Sequence, residues 1–156
     1  MVEWLLQQGV SRTELDKFGR TALLYACSGG HISMAEWLLQ RAARLTEIDS
    51  DGTTALLCAC LGGHISMAEW LLQRGASLTE MDKNGTTALL CACLGGHISI
   101  VEWLLQRGSS LTEISKTGRT ALLCTCSGGH IPMAEWLLQR GSNLTEIDSD
   151  GTTALL

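Results

Sequence analysis

Apolar and polar residues follow one another along the chain in a pattern that predicts short, paired helices. In TALLCACLGGHISMAEWLLQRG, which runs from Thr54 to Gly75, a threonine precedes seven apolar residues that end at a Gly-Gly pair. Threonine is a favoured N-cap and glycine commonly follows a helix end, so this run predicts a short buried helix. The next segment places Ile65, Ala68 and Leu72 at helical spacing and ends at a glycine, which predicts a second helix. The polar residues that follow it predict a turn.

The same pattern returns every 33 residues along the chain. Segments 49–81 and 82–114 differ at only six of their 33 positions. A pair of helices this short cannot bury both of its apolar faces, so each pair needs neighbours. Stacked pairs therefore predict a solenoid with a continuous apolar core. Five tryptophans mark the period: Trp4, Trp37, Trp70, Trp103 and Trp136.

The period, the helix–loop–helix pattern and the segment DKNGTTALLCACLGGHISIVEWLLQRGSSL together resemble the ankyrin repeat over the whole chain. The resemblance implies an all-α fold with short β-turn fingers, a solenoid of stacked helix–turn–helix repeats. It also implies one array with a partial repeat at each end. We define repeats 1 to 4 as residues 16–48, 49–81, 82–114 and 115–147, flanked by partial repeats at 1–15 and 148–156.

Two departures from the family pattern bear on stability. Ser115 stands where the other repeats have the turn aspartate. The family's Thr-Pro-Leu-His is Thr-Ala-Leu-Leu in every copy here, and the resemblance implies that the missing histidine would brace the loop through hydrogen bonds. We therefore expect packing to replace that polar brace at five leucines: Leu24, Leu57, Leu90, Leu123 and Leu156.

Composition and charge exclude several classes of protein. Apolar residues make up 46% of the chain and charged residues 17%, which argues against disorder. No apolar run is long enough to cross a bilayer, and the first residues do not resemble a secretory signal. Seven cysteines, an odd number, suit reduced thiols, so we expect a cytoplasmic or nuclear protein that is not secreted. A net charge of −5 gives no footprint for nucleic acid, and no nucleic-acid partner or membrane insertion is expected.

The cysteines and histidines are the candidates for metal or redox chemistry. Cys58 and Cys60 lie two positions apart on the predicted helix, so their side chains diverge by about 200° and cannot share one ion. We expect Cys27, Cys60, Cys93 and Cys126 to be small core residues and Cys58, Cys91 and Cys124 to be semi-buried. The resemblance assigns His31, His64, His97 and His130 to the start of the second helix.

Catalysis needs unlike groups that converge on one point, whereas a translational repeat arranges like groups in parallel rows. We therefore predict no enzyme activity, cofactor or metal. The tryptophans could form a stacking platform for single strands, but their apolar neighbours and adjacent glutamates favour packing between outer helices.

The resemblance implies protein–protein recognition on the finger tips and on the concave face of the first helices. The predicted finger residues are Lys17, Phe18, Arg20, Ser50, Asp51, Thr53, Lys83, Asn84, Thr86, Lys116, Thr117 and Arg119. The predicted helix residues are Ser28, Leu61, Leu94 and Ser127. An arginine column, expected to flank the groove and meet acidic groups of a protein or peptide ligand, comprises Arg41, Arg74, Arg107 and Arg140.

Other functions remain open from the sequence alone. The chain could be a structural spacer or a self-assembling segment of a longer array, or a metal or redox sensor that uses its cysteine and histidine rows. Leu156 ends the chain at the position equivalent to Leu24, and Met1 begins it at the position equivalent to Met34, so the tail of one molecule and the head of the next together approximate one repeat. Both ends would expose apolar residues, and we therefore also expect head-to-tail self-association through the terminal partial repeats.

Overall fold

The computed structural model describes residues 15–41 and 43–154. The described residues contain eight helices in chain order, which form a pair in each of repeats 1 to 4. The first helices of the pairs are α1 (Ala22–Ser28), α3 (Ala55–Leu61), α5 (Ala88–Gly95) and α7 (Ala121–Gly128). The second helices are α2 (Ile32–Leu39), α4 (Ile65–Gln73), α6 (Ile98–Gln106) and α8 (Ile131–Gln139).

Each first helix begins at a threonine N-cap. The Thr54 hydroxyl accepts a hydrogen bond from the Leu57 backbone N–H. The hydroxyls of Thr21, Thr87 and Thr120 likewise accept from the backbone N–H three residues later in the chain. Each second helix begins after a histidine whose side chain makes no capping bond, and Pro132 occupies the first turn of α8. Proline is tolerated there because the first-turn N–H has no partner within the helix.

The first helices form a continuous inner layer. Helices α1, α3, α5 and α7 pack against one another in sequence, and each also packs against the second helix of its own repeat. Second helices of neighbouring repeats stand farther apart. The stack therefore curves with its concave side on the first helices. The all-α solenoid of helix–turn–helix repeats predicted from the sequence is confirmed.

The inner layer is close-packed because the Gly-Gly pairs lack side chains. A Cβ atom built on Gly95 would lie 2.2 Å from the carbonyl oxygen of Leu61 in the previous repeat, and one on Gly62 would lie 2.3 Å from that of Ser28. The second glycine of a pair, such as Gly63 with φ of 76°, has a left-handed backbone that ends the turn. The glycines thus set the spacing between repeats as well as the turn within each one.

The expected replacement of the polar brace by packing is confirmed at the described leucines, because Leu24, Leu57, Leu90 and Leu123 are all buried. Leu156 lies outside the described residues. A polar brace that was not predicted from the sequence exists as well. The Thr54 hydroxyl donates to the Glu80 carboxylate, whose other oxygen accepts from the Ser77 backbone N–H. The same arrangement joins Thr87 to Glu113 and Thr120 to Glu146.

No helix among residues 15–41 and 43–154 combines the length and the apolar character that crossing a membrane requires.

Candidate protein-binding surface

Side-chain acceptors fix the backbone of the finger turns. In repeat 3 the Asp82 carboxylate accepts from the backbone N–H groups of Asn84 and Thr86, both at 2.8 Å. Asp16, Asp49 and Asp148 accept the equivalent pairs of bonds. In repeat 4 the Ser115 hydroxyl accepts from the Arg119 N–H at 3.1 Å, so serine reproduces part of what aspartate does.

Neighbouring fingers are hydrogen-bonded to one another. The Ser50 N–H donates to the Phe18 carbonyl at 2.9 Å, and the Lys83 N–H donates to the Asp51 carbonyl at 2.9 Å. The Lys116 N–H donates to the Asn84 carbonyl, and the Ser149 N–H donates to the Thr117 carbonyl. Because adjacent fingers are joined by backbone bonds, they form one strip along the array, and the tip side chains are held at a regular spacing.

The finger and helix residues predicted from the sequence are accessible on this surface. Of the twelve predicted finger residues, nine are exposed, and the other three, Thr53, Thr86 and Thr117, are half-buried. On the first helices Ser28 and Ser127 are exposed, whereas Leu61 and Leu94 are half-buried against the core. The concave side therefore presents polar groups at both ends and two leucines between them.

The first repeat carries an aromatic pair. Phe18 is 48% exposed and Tyr25 is 51% exposed. The Lys17 ammonium lies 4.9 Å and the Arg20 guanidinium 5.5 Å from the centroid of the Phe18 ring, and the Tyr25 hydroxyl donates to the Asp16 carboxylate at 2.6 Å. That bond lowers the pKa of Asp16 below its ordinary value. Tyr25 was not among the residues predicted from the sequence, although it is the only tyrosine and stands where the other repeats have cysteine.

The arginine column lies at the ends of the second helices, where its charges already have partners within the molecule. The Arg74 guanidinium stacks on Trp70 at 4.0 Å and forms an ion pair with Glu36 of the previous repeat at 3.2 Å. The indole N–H of Trp70 donates to the same carboxylate at 3.1 Å. We call this three-residue arrangement the clasp.

The clasp recurs one repeat further along, where Glu69 accepts from Trp103 at 3.0 Å and from Arg107 at 3.1 Å. Arg140 stacks on Trp136 and lies 3.8 Å from Glu102, and Arg41 stacks on Trp37. Trp70 and Trp103 are thus buried and bonded to the second helix of the previous repeat, as expected, whereas Trp4 lies outside the described residues. The glutamates that the sequence analysis recorded only as acidic neighbours connect one repeat to the next, and the 34-residue spacing from glutamate to tryptophan was the available signal.

The cysteines are free thiols within the inner layer. Cys58, Cys91 and Cys124 are buried, so the prediction that they are semi-buried is wrong: the close packing of first helices encloses them. Cys27, Cys60 and Cys93 are fully buried, and Cys126 is half-buried. Burial raises the pKa of Cys27 to about 12 and that of Cys58 to about 11. These thiols are therefore protonated at neutral pH and are poor nucleophiles and poor metal ligands.

Within the part of the chain that the structure describes, no three His, Cys, Asp or Glu side chains converge on a point where a metal ion could bind. The His130 side chain contacts the backbone of the previous repeat: its Nε2 lies 2.9 Å from the Leu94 carbonyl oxygen. The proposed ends of a head-to-tail contact lie almost entirely outside the described residues.

Comparison with protein families gives matches to two models of ankyrin repeats. The model described as ankyrin repeats (3 copies) matches residues 1–82 and 44–115, and the model described as ankyrin repeats (many copies) matches residues 100–138. No curated protein sequence matches the chain. Ankyrin repeats are generally protein–protein interaction modules, and proteins built from them are typically non-catalytic scaffolds. The family matches, the repeated helix pairs and the linked fingers together establish that this chain belongs to the ankyrin repeat family.

Proposed function

We propose that the chain is a non-catalytic scaffold that binds a protein or peptide across its finger strip and concave face. The observation that carries the proposal is the contrast between a fixed finger backbone and exposed, varied tip side chains. Aspartate or serine turns and finger-to-finger bonds already order the backbone of the fingers. Binding of a partner at the tips therefore costs little conformational entropy of the fingers.

Repeats 1 to 3 supply the anchor of the proposed site. Phe18 and Tyr25 offer two half-exposed rings beside Lys17 and Arg20, and Leu61 and Leu94 extend the apolar surface along the concave side. Aromatic and arginine side chains dominate the binding energy of most interfaces. The proposed ligand is a segment with apolar side chains for the rings and acidic groups for the two cations. The arginine column of the second helices, which is partly exposed and paired within the molecule, remains the predicted contact for acidic groups of the ligand at the edge of this site.

A peptide selection against the purified chain tests the proposal. Peptides enriched by the wild type should lose at least about tenfold in affinity with Phe18→Ala, and again with Leu61→Ser together with Leu94→Ser. Ile131→Ser is the matched control, since Ile131 is an exposed apolar residue at the start of a second helix. Peptides that bind all four proteins equally well would place the interaction elsewhere. Failure of the wild type to enrich any sequence would favour the structural spacer.

A further inference from the structure

One apolar side chain is exposed at the last position of each of repeats 1 to 4 and of the first partial repeat, immediately before the turn residue of the next finger. Such a row is costly to leave in water. We call it the apolar row. Its members are Leu15, Ile48, Met81, Ile114 and Ile147, which are 60%, 52%, 51%, 60% and 62% exposed.

A second row runs parallel to the first and is uncharged. Two positions before each of the last four members of the apolar row lies an exposed threonine: Thr46, Thr79, Thr112 or Thr145. Between the two rows stand the glutamates of the polar braces. The carboxylates of Glu80, Glu113 and Glu146 accept bonds from threonine hydroxyls and backbone N–H groups, so their charges are directed into the molecule.

Shallow grooves adjoin the apolar row at equivalent places. Ile48 lines a groove of about 210 Å³ with the apolar Leu45 and Ala55 and with the charged Arg74 and Glu80. Ile114 lines one of about 350 Å³ with the apolar Leu111 and Ala121 and with the charged Arg140 and Glu146. The two sets of residues are related by two repeats, so the grooves follow the same period as the apolar row. Side chains that lie over the row would find partly apolar depressions beside it.

We propose that the apolar row is the contact surface of a homodimer, in which it packs against the apolar row of a second copy running in the opposite direction. A two-fold axis at Met81 brings that residue next to its own equivalent, Ile48 opposite Ile114, and Leu15 opposite Ile147. This register covers all five side chains of both copies, whereas a shift by any number of repeats leaves some uncovered.

The period of the row favours a second copy as the occupant. Only an array with the same spacing presents an apolar group opposite every member of the row. The grooves beside the row carry both signs of charge, with Arg74 and Glu80 in one and Arg140 and Glu146 in the other, so this face adds no local excess of one sign to the repulsion between two molecules of net charge −5. The contact is isologous and closes at two subunits. It differs in this from a head-to-tail contact between chain ends, which would continue into longer assemblies.

Sedimentation of the full chain from micromolar to millimolar concentration tests the dimer. The wild type should move from monomer to dimer and stop there. Ile48→Lys with Ile114→Lys should weaken the association by about a hundredfold, because each charge would be buried opposite the other in both copies. Met34→Lys with Ile131→Lys makes the same charge change at exposed apolar sites outside the row and should leave the dissociation constant unchanged. Thermal melts establish that both variants are folded.

A wild type that stays monomeric throughout would overturn the proposal, and so would equal association by the two lysine variants or growth beyond a dimer. Met81→Cys tests the register independently. Oxidation should join two copies of this variant much faster than it joins copies of Ile131→Cys, since position 81 lies beside the two-fold axis. A dimer in which the two variants cross-link at the same rate would contradict the proposed axis.

Discussion

The inner and outer helices of this array are joined to their neighbours in different ways. First helices pack closely through small residues, and the Gly95 backbone lies against the Leu61 carbonyl. Buried cysteine side chains lie between these helices. Second helices stand farther apart and are connected by clasps, in which a buried tryptophan such as Trp103 bonds to a partly exposed ion pair such as Glu69 with Arg107. The inner contact depends on shape and the outer one on hydrogen bonds and charge. Different perturbations should therefore act on the two layers.

Alkaline pH should have the largest effect and should act through the inner layer. Burial raises the pKa of Cys60 and Cys93 to about 12 from an ordinary 9.0. Above pH 9 the unfolded chain releases these thiol protons while the folded chain keeps them, so the free energy of unfolding falls as pH rises from about 9 toward 12.

Urea titrations over this pH range would measure the fall. Cys60→Ala with Cys93→Ala should give a shallower decline, because alanine fills the small core position without a titrating group. Identical declines for the two proteins would mean that the buried thiols do not control the alkaline transition.

The next largest effect should follow from adding one methyl group between inner helices. Gly95→Ala should lower the free energy of unfolding by about 2–4 kcal/mol, because its Cβ would overlap the Leu61 carbonyl oxygen. Gly108→Ala is the control: its φ is 100° but no atom lies within 4 Å of the added Cβ, so only backbone strain of about 1 kcal/mol is expected. Denaturant unfolding compares the two, and a smaller loss at Gly95 would contradict the close packing.

Loss of the polar brace should have an intermediate effect. Thr87→Val removes both the N-cap of α5 and the bond to Glu113, and should cost about 1–2 kcal/mol. Thr86→Val changes the adjacent half-buried threonine, whose backbone N–H makes the turn bond to Asp82. Denaturant unfolding of the two variants should show Thr87→Val to be the less stable by at least about 0.5 kcal/mol. Equal stabilities would show that the brace contributes little.

Changes to one clasp should have the smallest effect. Glu69 and Arg107 are more than one-third exposed, so solvent screens their pair. A double-mutant cycle of Glu69→Gln and Arg107→Gln should give a coupling of about 0.3–1 kcal/mol that shrinks in high salt. Coupling that is unchanged by salt would show that packing, not charge, connects the outer helices.

The sequence predicts the helices within each repeat but not the side-chain bonds between distant positions, most of which join one repeat to the next. The 33-residue period, the threonine caps and the buried leucines are local signals, so the helix pairs could be placed from the pattern alone. The bond from Thr54 to Glu80 and the clasps join residues 26 to 38 positions apart, and apolar periodicity carries no information about such partners. Tyr25 was missed for a related reason, since its exposure depends on how a large ring fits a position that holds a small thiol elsewhere.

Residue-by-residue thiol labelling tests the close-packed inner layer most directly. The native protein at neutral pH, treated with a small thiol reagent and analysed by mass spectrometry, should label first at Cys126, the one described cysteine that is half-buried. Cys58, Cys91 and Cys124 should react only at the rate of unfolding, together with the fully buried cysteines. Labelling of Cys91 in the native protein as fast as that of Cys126 would contradict the account, because the first helices could not then be packed against one another as described.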